Sequence, residues 1–324
     1  DVYKRQDLSA SYGKAERVRI RARVTEPITA PKGRLNLDLT DGRFGEWSLH
    51  SSTIELDGNL EEAFFQAFTR GRGRDTFELQ GSGAFSIHRR SMRWEALRGF
   101  YHKTPVRLAS PLFLELGPQN YAVRGLALHF GDGLIKGAGH MENGGLDFLL
   151  EVRGLALNAI PSPLVSSLSG SLSGELALKG TPAEPMARLA IGISGLKTDE
   201  ESLKGLPPVF VEGQGDFRGR RLTADLSFKG LASEPFEARL ALPLRFSLSP
   251  FAFSILSQAP LEGSLTGAMR LERIVALLGL HEQNMGGQGS LALKVGGTAE
   301  EPEISGHIRL NDGVYENLRT GTLL

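Results

Sequence analysis

Chemistry needs particular side chains at particular spacings, and the histidines are the first to test. His50, His88, His102, His129, His140, His281 and His307 include no His-x3-His pair and no accompanying acidic motif of the kind that holds a metal. The chain has no cysteine, which removes disulfides and thiolate metal sites. Gly170-Ser-Leu-Ser-Gly174 has the outline of a nucleophile elbow, but Leu172 stands where the serine should be. The Gly81/Gly83 and Gly137/Gly139 pairs lack the third glycine and following helix of a dinucleotide site, and read as bulges or tight turns. Arg70-Gly-Arg-Gly-Arg74 and the arginines from Arg17 to Arg23 read as solvated outer faces that also deter stray strand pairing, and Asp199-Glu-Glu201 as a loop. The expectation is therefore a protein that is not an enzyme, with no catalytic residues, no metal and no cofactor.

The elements that would position any site are strands. A period of two begins at Arg17-Val-Arg-Ile-Arg-Ala-Arg-Val24, where the arginines face one way and Val18, Ile20, Ala22 and Val24 the other. It recurs through Leu35, Leu37 and Leu39, Leu126, Leu128 and Phe130, Leu146, Phe148, Leu150 and Val152, and Leu189, Ile191 and Ile193. It returns in Leu222, Ala224, Leu226 and Phe228, then in Ala238, Leu240, Leu242, Leu244, Phe246 and Leu248, and again in Ile304, Gly306, Ile308 and Leu310. Thr40-Asp-Gly42, Gly131-Asp-Gly133, Asn143-Gly-Gly145, Glu212-Gly-Gln-Gly215 and Asn311-Asp-Gly313 read as the intervening turns of a meander.

One phrase is written twice. Gly174-Glu-Leu-Ala-Leu-Lys-Gly180-Thr-Pro-Ala-Glu-Pro185 returns, two residues longer, as Gly289-Ser-Leu-Ala-Leu-Lys-Val-Gly-Gly297-Thr-Ala-Glu-Glu-Pro302, a strand, a turn and the start of a strand. Leu176 and Leu178 in the first copy answer to Leu291 and Leu293 in the second. Repeated β units with one apolar face must stack on neighbours or enclose something apolar.

Three segments depart from the alternation and predict short helices that plug or corner the sheet. They are Leu60 to Phe68 with Asn59 as N-cap, Asn158 to Leu168 with Pro161 and Pro163 confining the helix to its later part, and Glu272 to Leu280. Too few helices are expected to cover the sheet. It must roll closed, pack on a second sheet or curl into a trough. About 20 strands at roughly 4.8 Å each would extend about 95 Å, which favours the long curled form.

With 40 glycines, 16 prolines and 40% hydrophobic residues, the chain is too apolar for disorder and rich in turn formers. Lys plus Arg and Asp plus Glu both number 37, so no overall field draws it to nucleic acid, and no nucleic-acid partner is expected. No apolar run approaches the roughly 20 residues that cross a bilayer. The sequence reads as an internal fragment whose opening Asp1 to Gln6 resembles a translated adapter scar, so residues 1–6 are set apart from one continuous array, 7–169 and 170–324.

The succession Leu261-Glu-Gly-Ser-Leu-Thr-Gly267, a short helix, Gly289-Ser-Leu-Ala-Leu, Gly-Gly-Thr298, Glu-Pro302-Glu-Ile-Ser-Gly306, Leu310-Asn-Asp-Gly-Val-Tyr315 and Gly-Thr322 resembles the C-terminal region of TamB-like proteins. These belong to the AsmA-like superfamily of periplasmic proteins anchored in the inner membrane. The likeness is close over 261–324, good over 154–196 and only stylistic before that. It implies an all-β, elongated antiparallel β-taco, a U-shaped sheet whose hydrophobic concave face carries phospholipid acyl chains between the two membranes of a diderm bacterium. It further implies a periplasmic location, an anchor in the inner membrane and an outer-membrane BamA-like barrel of the TamA type as partner.

On this reading the groove residues are Val18, Ile20, Leu37, Leu128, Phe148, Leu150, Leu176, Leu178, Leu189, Ile191, Ile193, Leu226, Phe228, Leu240, Leu242, Leu244, Phe246, Leu291, Leu293, Ile308 and Leu310. Two alternatives compete with it. One is a scaffold or chaperone that holds unfolded outer-membrane strands by β-augmentation, and the other is an adhesin-like β-solenoid with a filled core.

Overall fold

The computed structural model describes residues 2–10, 13–25, 32–44, 47–59, 61–117, 120–160, 165, 167–199, 207–230, 232, 234–270, 283–317 and 322–323, with backbone placement alone for 2–10, 13, 269–270, 283–285, 315–317 and 322–323. The protein is all-β, and its chain divides into two compact units, Asp1–Asn143 and Gly144–Leu324.

The first unit contains β1 (Val2–Ala10), β2 (Gly13–Thr25), β3 (Lys32–Phe44), β4 (Trp47–Asn59), β5 (Ala63–Arg72), β6 (Thr76–Ser86), β7 (Ser91–Tyr101), β8 (Thr104–Leu108), β9 (Leu112–Leu116), β10 (Tyr121–Phe130) and β11 (Gly133–Glu142). From β1 to β8 each strand pairs antiparallel with its successor. β8 and β9 together occupy one strand position: β8 lies between the later half of β7 and the end of β10, and β9 between the earlier half of β7 and the start of β10. One face is apolar. Phe77, Tyr101 and Val106 form its buried centre, with Leu49, Leu79, Leu128 and Phe130 packed around them.

The second unit contains β12 (Gly145–Ala156), a 3-10 turn at Leu157–Ala159, β13 (Leu168–Gly180), β14 (Pro185–Thr198), β15 (Val209–Arg218), β16 (Arg221–Lys229), β17 (Phe236–Leu248), β18 (Phe251–Ile255), β19 (Glu262–Arg270), β20 (Gln283–Gly297), β21 (Pro302–Asn317) and β22 (Thr322–Leu323). It is likewise an antiparallel meander, with one departure. β17 sits between β16 and β19 only through Ala241, then leaves β19 and forms a hairpin with β18. Pro243, which has no N–H to give a ladder, stands at that parting.

Several expectations are corrected. Leu60 lies outside the described residues, and the rest of the first predicted helix is strand: Ala63, Phe65 and Ala67 turn to the apolar face while Phe64 and Gln66 are exposed. The i, i+4 spacing of Phe64 and Phe68 also satisfies a period of two, and the sheet neighbours decide. Gly83 lies opposite Phe65, where a Cβ would stand 2.9 Å from the ring. Asn59 does cap backbone donors, but within a β-turn: its Oδ1 accepts from the N–H groups of Glu61 (2.9 Å) and Glu62 (2.8 Å). The second predicted helix has, in its described part, the 3-10 turn at Leu157–Ala159, 3-10 conformation at Val165 and the start of β13 at Leu168. The third lies outside the described residues, as does His281.

Three predicted turns are also in fact strand. Thr40-Asp-Gly42 and Asn311-Asp-Gly313 lie within β3 and β21, where Asp41 and Asp312 each take φ 51°. The register of β20 and β21 shifts by one residue at Asp312, between Gly286 and Gln288, the signature of a bulge, whereas β3 keeps its register in both ladders on either side of Asp41. Glu212 to Gly215 is the middle of β15, whose glycines leave room for Ile191 and Leu226 from the flanking strands. Val2 to Gln6, set apart from the array in the sequence analysis, pair with Arg21 to Arg17 in the backbone ladder of β1 and β2, as a strand edge accepts an extended chain beside it.

Candidate functional site

The strand register turns the alternation into rows. In the second unit one row passes from Leu150 through Leu176, Leu189, Gly215, Ala224, Leu240, Gly263 and Val295 to Ile304. The next passes from Val152 through Gly174, Ile191, Gly213, Leu226, Ala238, Leu265 and Leu293 to Gly306. Phe148, Leu178, Ala187, Phe217, Leu222 and Leu242 form one margin of the same face. Leu155, Leu172, Ile193, Val211, Phe228 and Phe236 form the other. Leu291 extends the face to Ile308, and Gly289 extends it to Leu310. The result is an apolar surface spanning β12 to β21 without a charged residue in these rows.

Its reverse is ionic. Lys179 faces Asp147 (3.3 Å), Arg188 faces Asp216 (3.4 Å), Lys229 reaches Glu212 (2.7 Å) and Arg239 reaches Asp225 (3.1 Å). Such exposed pairs add little stability each, but they commit this side to water. A depression of about 670 Å³ on this reverse side is lined by Glu151, Glu175, Glu212, Asp225 and Glu237 over the small residues Ala190 and Gly192. Three of its carboxylates are engaged by Arg153, Lys229 and Arg239, and Glu237 accepts a hydrogen bond from Ser227.

The apolar face is only partly covered. Leu189 is 39% exposed, and at β21 the exposures of Ile304 and Ile308 reach 70% and 65%. Among the described residues no helix lies on it. The β17–β18 hairpin does: past Pro243, Leu244 is buried and Phe246 packs edge-on against Phe217, with ring centroids 5.7 Å apart. The tip is held by one acceptor, the Pro182 carbonyl, which receives the N–H groups of Leu248 (2.7 Å) and Ser249 (3.2 Å) and the hydroxyl of Ser247 (3.3 Å).

Of the groove residues read from the sequence, Phe148, Leu150, Leu176, Leu178, Leu189, Ile191, Ile193, Leu226, Phe228, Leu240, Leu242, Leu291, Leu293, Ile308 and Leu310 share this one face. Leu244 and Phe246 leave the sheet with the hairpin, because β17 is two strands in one run. Val18, Ile20, Leu37 and Leu128 lie in the first unit, where Val18 pairs with Leu39, Ile20 with Leu37, and Leu128 with both Leu108 and Ile135. Val211, Phe217 and Phe236, all buried at the margins of the face, escaped the sequence reading. Their signal was present in Phe217 and Phe236, each two residues from an apolar or small neighbour, but the glycines between Val211 and Phe217 disguised β15 as a turn.

The twice-written phrase forms the same hairpin in both places. Gly180 (φ 101°) and Gly297 (φ 75°) open the turns, and the Thr181 and Thr298 hydroxyls each accept the N–H of the glutamate three residues on at 3.1 Å. A third copy of this turn went unread at Gly58-Asn-Leu-Glu-Glu-Ala63, where Asn59 replaces the threonine.

Among the described residues no group of three or more His, Asp or Glu side chains has a metal-holding arrangement, and no helix is long and apolar enough to cross a membrane. Ser171 and Ser173 of the elbow-like motif sit on a strand, and Ser173 Oγ accepts the N–H of Gly154 at 3.0 Å. Searches against protein-family models, curated proteins and solved structures return no match.

Proposed function

We propose that the apolar face of the second unit binds hydrocarbon chains, and that the protein shelters the acyl tails of phospholipids as a TamB-like, β-taco segment between the inner and outer membranes of a diderm bacterium. The observation that carries this reading is the continuous, charge-free surface from β12 to β21, left partly exposed and backed by an ionic reverse. A sheet face meant only for internal packing is covered by a second layer. This one carries a hairpin at one margin. Each methylene taken from water onto it contributes about 0.8 kcal/mol, so a chain binds along the rows without a specific polar contact and can shift along them at little cost. No step of bond making is involved. By resemblance the outer-membrane partner is a BamA-like barrel.

The test is a titration of the purified chain with dansyl-undecanoic acid, whose emission rises in an apolar site. Leu189→Glu/Leu240→Glu places two carboxylates in one row of the face, and affinity should fall at least tenfold. Thr223→Lys on the reverse should change it less than twofold. Equal affinity in all three proteins would remove the apolar face as the site.

A second reading rests on a different observation. From Pro302 to Asn311, β21 pairs among the described residues on one side only, with β20, and its apolar side chains are exposed. An edge of this kind adds a strand by β-augmentation, the chaperone alternative, and copurifying polypeptide in place of lipid would favour it. The solenoid alternative is set aside because neighbouring strands here are antiparallel, whereas the coils of a β-helix stack in parallel.

A further inference from the structure

The formal charges of the chain are unevenly divided. Asp1–Asn143 carries 21 Lys and Arg against 17 Asp and Glu, whereas Gly144–Leu324 carries 16 against 20. The strand register gathers the first unit's excess on the side opposite its apolar centre. Ala15, Gly42, Leu49, Gly71 and Phe77 make one row on the apolar side, and the row beside it on the reverse is Lys14, Arg43, Ser48, Arg72 and Thr76. That reverse row holds three cations, two hydroxyls and no carboxylate. The next is Arg17, Thr40, Ser51, Arg70 and Glu78, whose one carboxylate comes on β6. Glu16 and Asp41, exposed between the two rows in sequence, bring the balance over β2 to β5 to five cations against two carboxylates.

Like charges directly opposite each other destabilise a ladder, and Lys14 lies directly opposite Arg43. Lys14, Arg17, Arg43, Arg70 and Arg72 are exposed and take part in no ion pair among the described residues. In the second unit, by contrast, Lys179 is paired with Asp147, Arg188 with Asp216 and Arg239 with Asp225, each directly across its ladder. The reverse of the first unit therefore holds charge that its own side chains do not neutralise and that an external anion would. Rings stand on the same side. Phe100 lies opposite Glu78, Phe64 opposite Asp57, and Phe113 between Arg93 and Arg124. Phe100, Phe64 and Phe113 are 44%, 58% and 46% exposed, while Tyr101 and Phe65 on the other side are buried. A soluble polyanion answers the charge alone, but a bilayer also offers hydrocarbon just beneath its phosphates, where rings are taken up. The cations on β2, β3 and β5 and the rings on β5, β7 and β9 spread over about 30 Å of ladder at roughly 4.8 Å per strand. That breadth suits a plane of headgroups, whereas a nucleic-acid strand follows a single track.

We infer that the reverse face of the first unit docks on an anionic bilayer, with phospholipid phosphates at Lys14, Arg17, Arg43, Arg70 and Arg72 and the exposed rings set among the headgroups. The choice of lipid among polyanions rests on the acyl-chain reading of the second unit. It gives that reading a step it lacks, a place where the chain meets the membrane that supplies or receives its ligand. Guanidinium forks match phosphate oxygens two at a time, and the Thr40 and Ser51 hydroxyls lie between Arg17 and Arg70 in the row. Each cation at an anionic surface multiplies partitioning by about fivefold, and added salt screens the attraction.

The test floats the full chain with vesicles of phosphatidylglycerol or of phosphatidylcholine at about 0.1 M salt, and measures dansyl-undecanoic acid affinity alongside. Partitioning onto phosphatidylglycerol should exceed that onto phosphatidylcholine at least tenfold. Arg17→Gln/Arg70→Gln/Arg72→Gln should bring it down to the phosphatidylcholine level with dansyl-undecanoic acid affinity unchanged. Arg188→Gln/Lys229→Gln/Arg239→Gln removes the same charge from the second unit and should change partitioning less than threefold. Equal losses in the two triple variants would assign binding to net charge and overturn the docking face. Equal partitioning onto the two lipids, or none onto either, overturns it too, and leaves the groove standing where dansyl-undecanoic acid still binds. A single-stranded oligonucleotide bound more tightly than phosphatidylglycerol through the same three arginines overturns the bilayer as partner. A parent that floats through these arginines but binds no dansyl-undecanoic acid overturns the groove and supports the docking face.

Discussion

At Gly297 the backbone sits at φ 75°, and an added Cβ would press into the Glu301 carbonyl oxygen across the turn. Its neighbour Gly296 has open space where a Cβ would go. The pair isolates conformation from composition. Gly297→Ala should lower stability by about 1–2 kcal/mol, while Gly296→Ala should stay within about 0.5 kcal/mol, read as the shift in urea midpoint. Gly83 poses a different constraint: a side chain there meets the Arg93 carbonyl and the Phe65 ring, the latter 2.9 Å from the Cβ position. Gly83→Ala should cost about 1–3 kcal/mol as overpacking, and because Trp94 packs edge-on against Phe65 (4.9 Å), it should also shift tryptophan emission. Neither constraint was visible in the sequence, where both glycines read as generic turn or bulge formers. A glycine's role is set by its cross-strand neighbour, and register is a tertiary property.

Strands were legible because alternation is local. Arg17 to Val24 needed no partner to reveal its two faces, and the structure puts Arg17, Arg21 and Arg23 in solvent with Val18 buried. Turns were less legible, because Asp-Gly and Gly-x-Gly serve bulges as well as hairpins, and Asn59 offers its side chain to a β-turn with the same hydrogen bonds that would cap a helix. The β17–β18 hairpin was missed for a related reason: Ala238 to Leu248 alternates without a break, and only Pro243 and the Ser249-Pro250 turn mark that its two halves belong to different ladders. The repeated phrase carries its own test. Its copies differ by two residues between glycine and turn, and two is the one small number that leaves every side chain on its face. Deleting both Lys294 and Val295 should therefore preserve cooperative unfolding and soluble yield, whereas deleting Val295 alone should abolish the cooperative transition seen by circular dichroism, since it turns the Leu291 and Leu293 face toward solvent.

At the scale of the molecule, the second unit is a sheet with one apolar side, one ionic side and an aromatic hairpin over one margin. The apolar side makes ligand affinity a sum of methylenes, so it should rise with chain length by about 0.8 kcal/mol per CH₂, near fourfold for each carbon, until the chain outgrows the rows. A series of dansylated fatty acids differing by two carbons would read that slope, and a flat series would point to a discrete headgroup site without a groove. The central claim, that acyl chains occupy the β12–β21 face, is tested most directly by mass spectrometry of organic extracts from the purified protein and from its Leu189→Glu/Leu240→Glu variant. The account predicts phospholipid in the parent and at least tenfold less in a variant whose circular dichroism is unchanged. Equal lipid in both, or none in either, would contradict it.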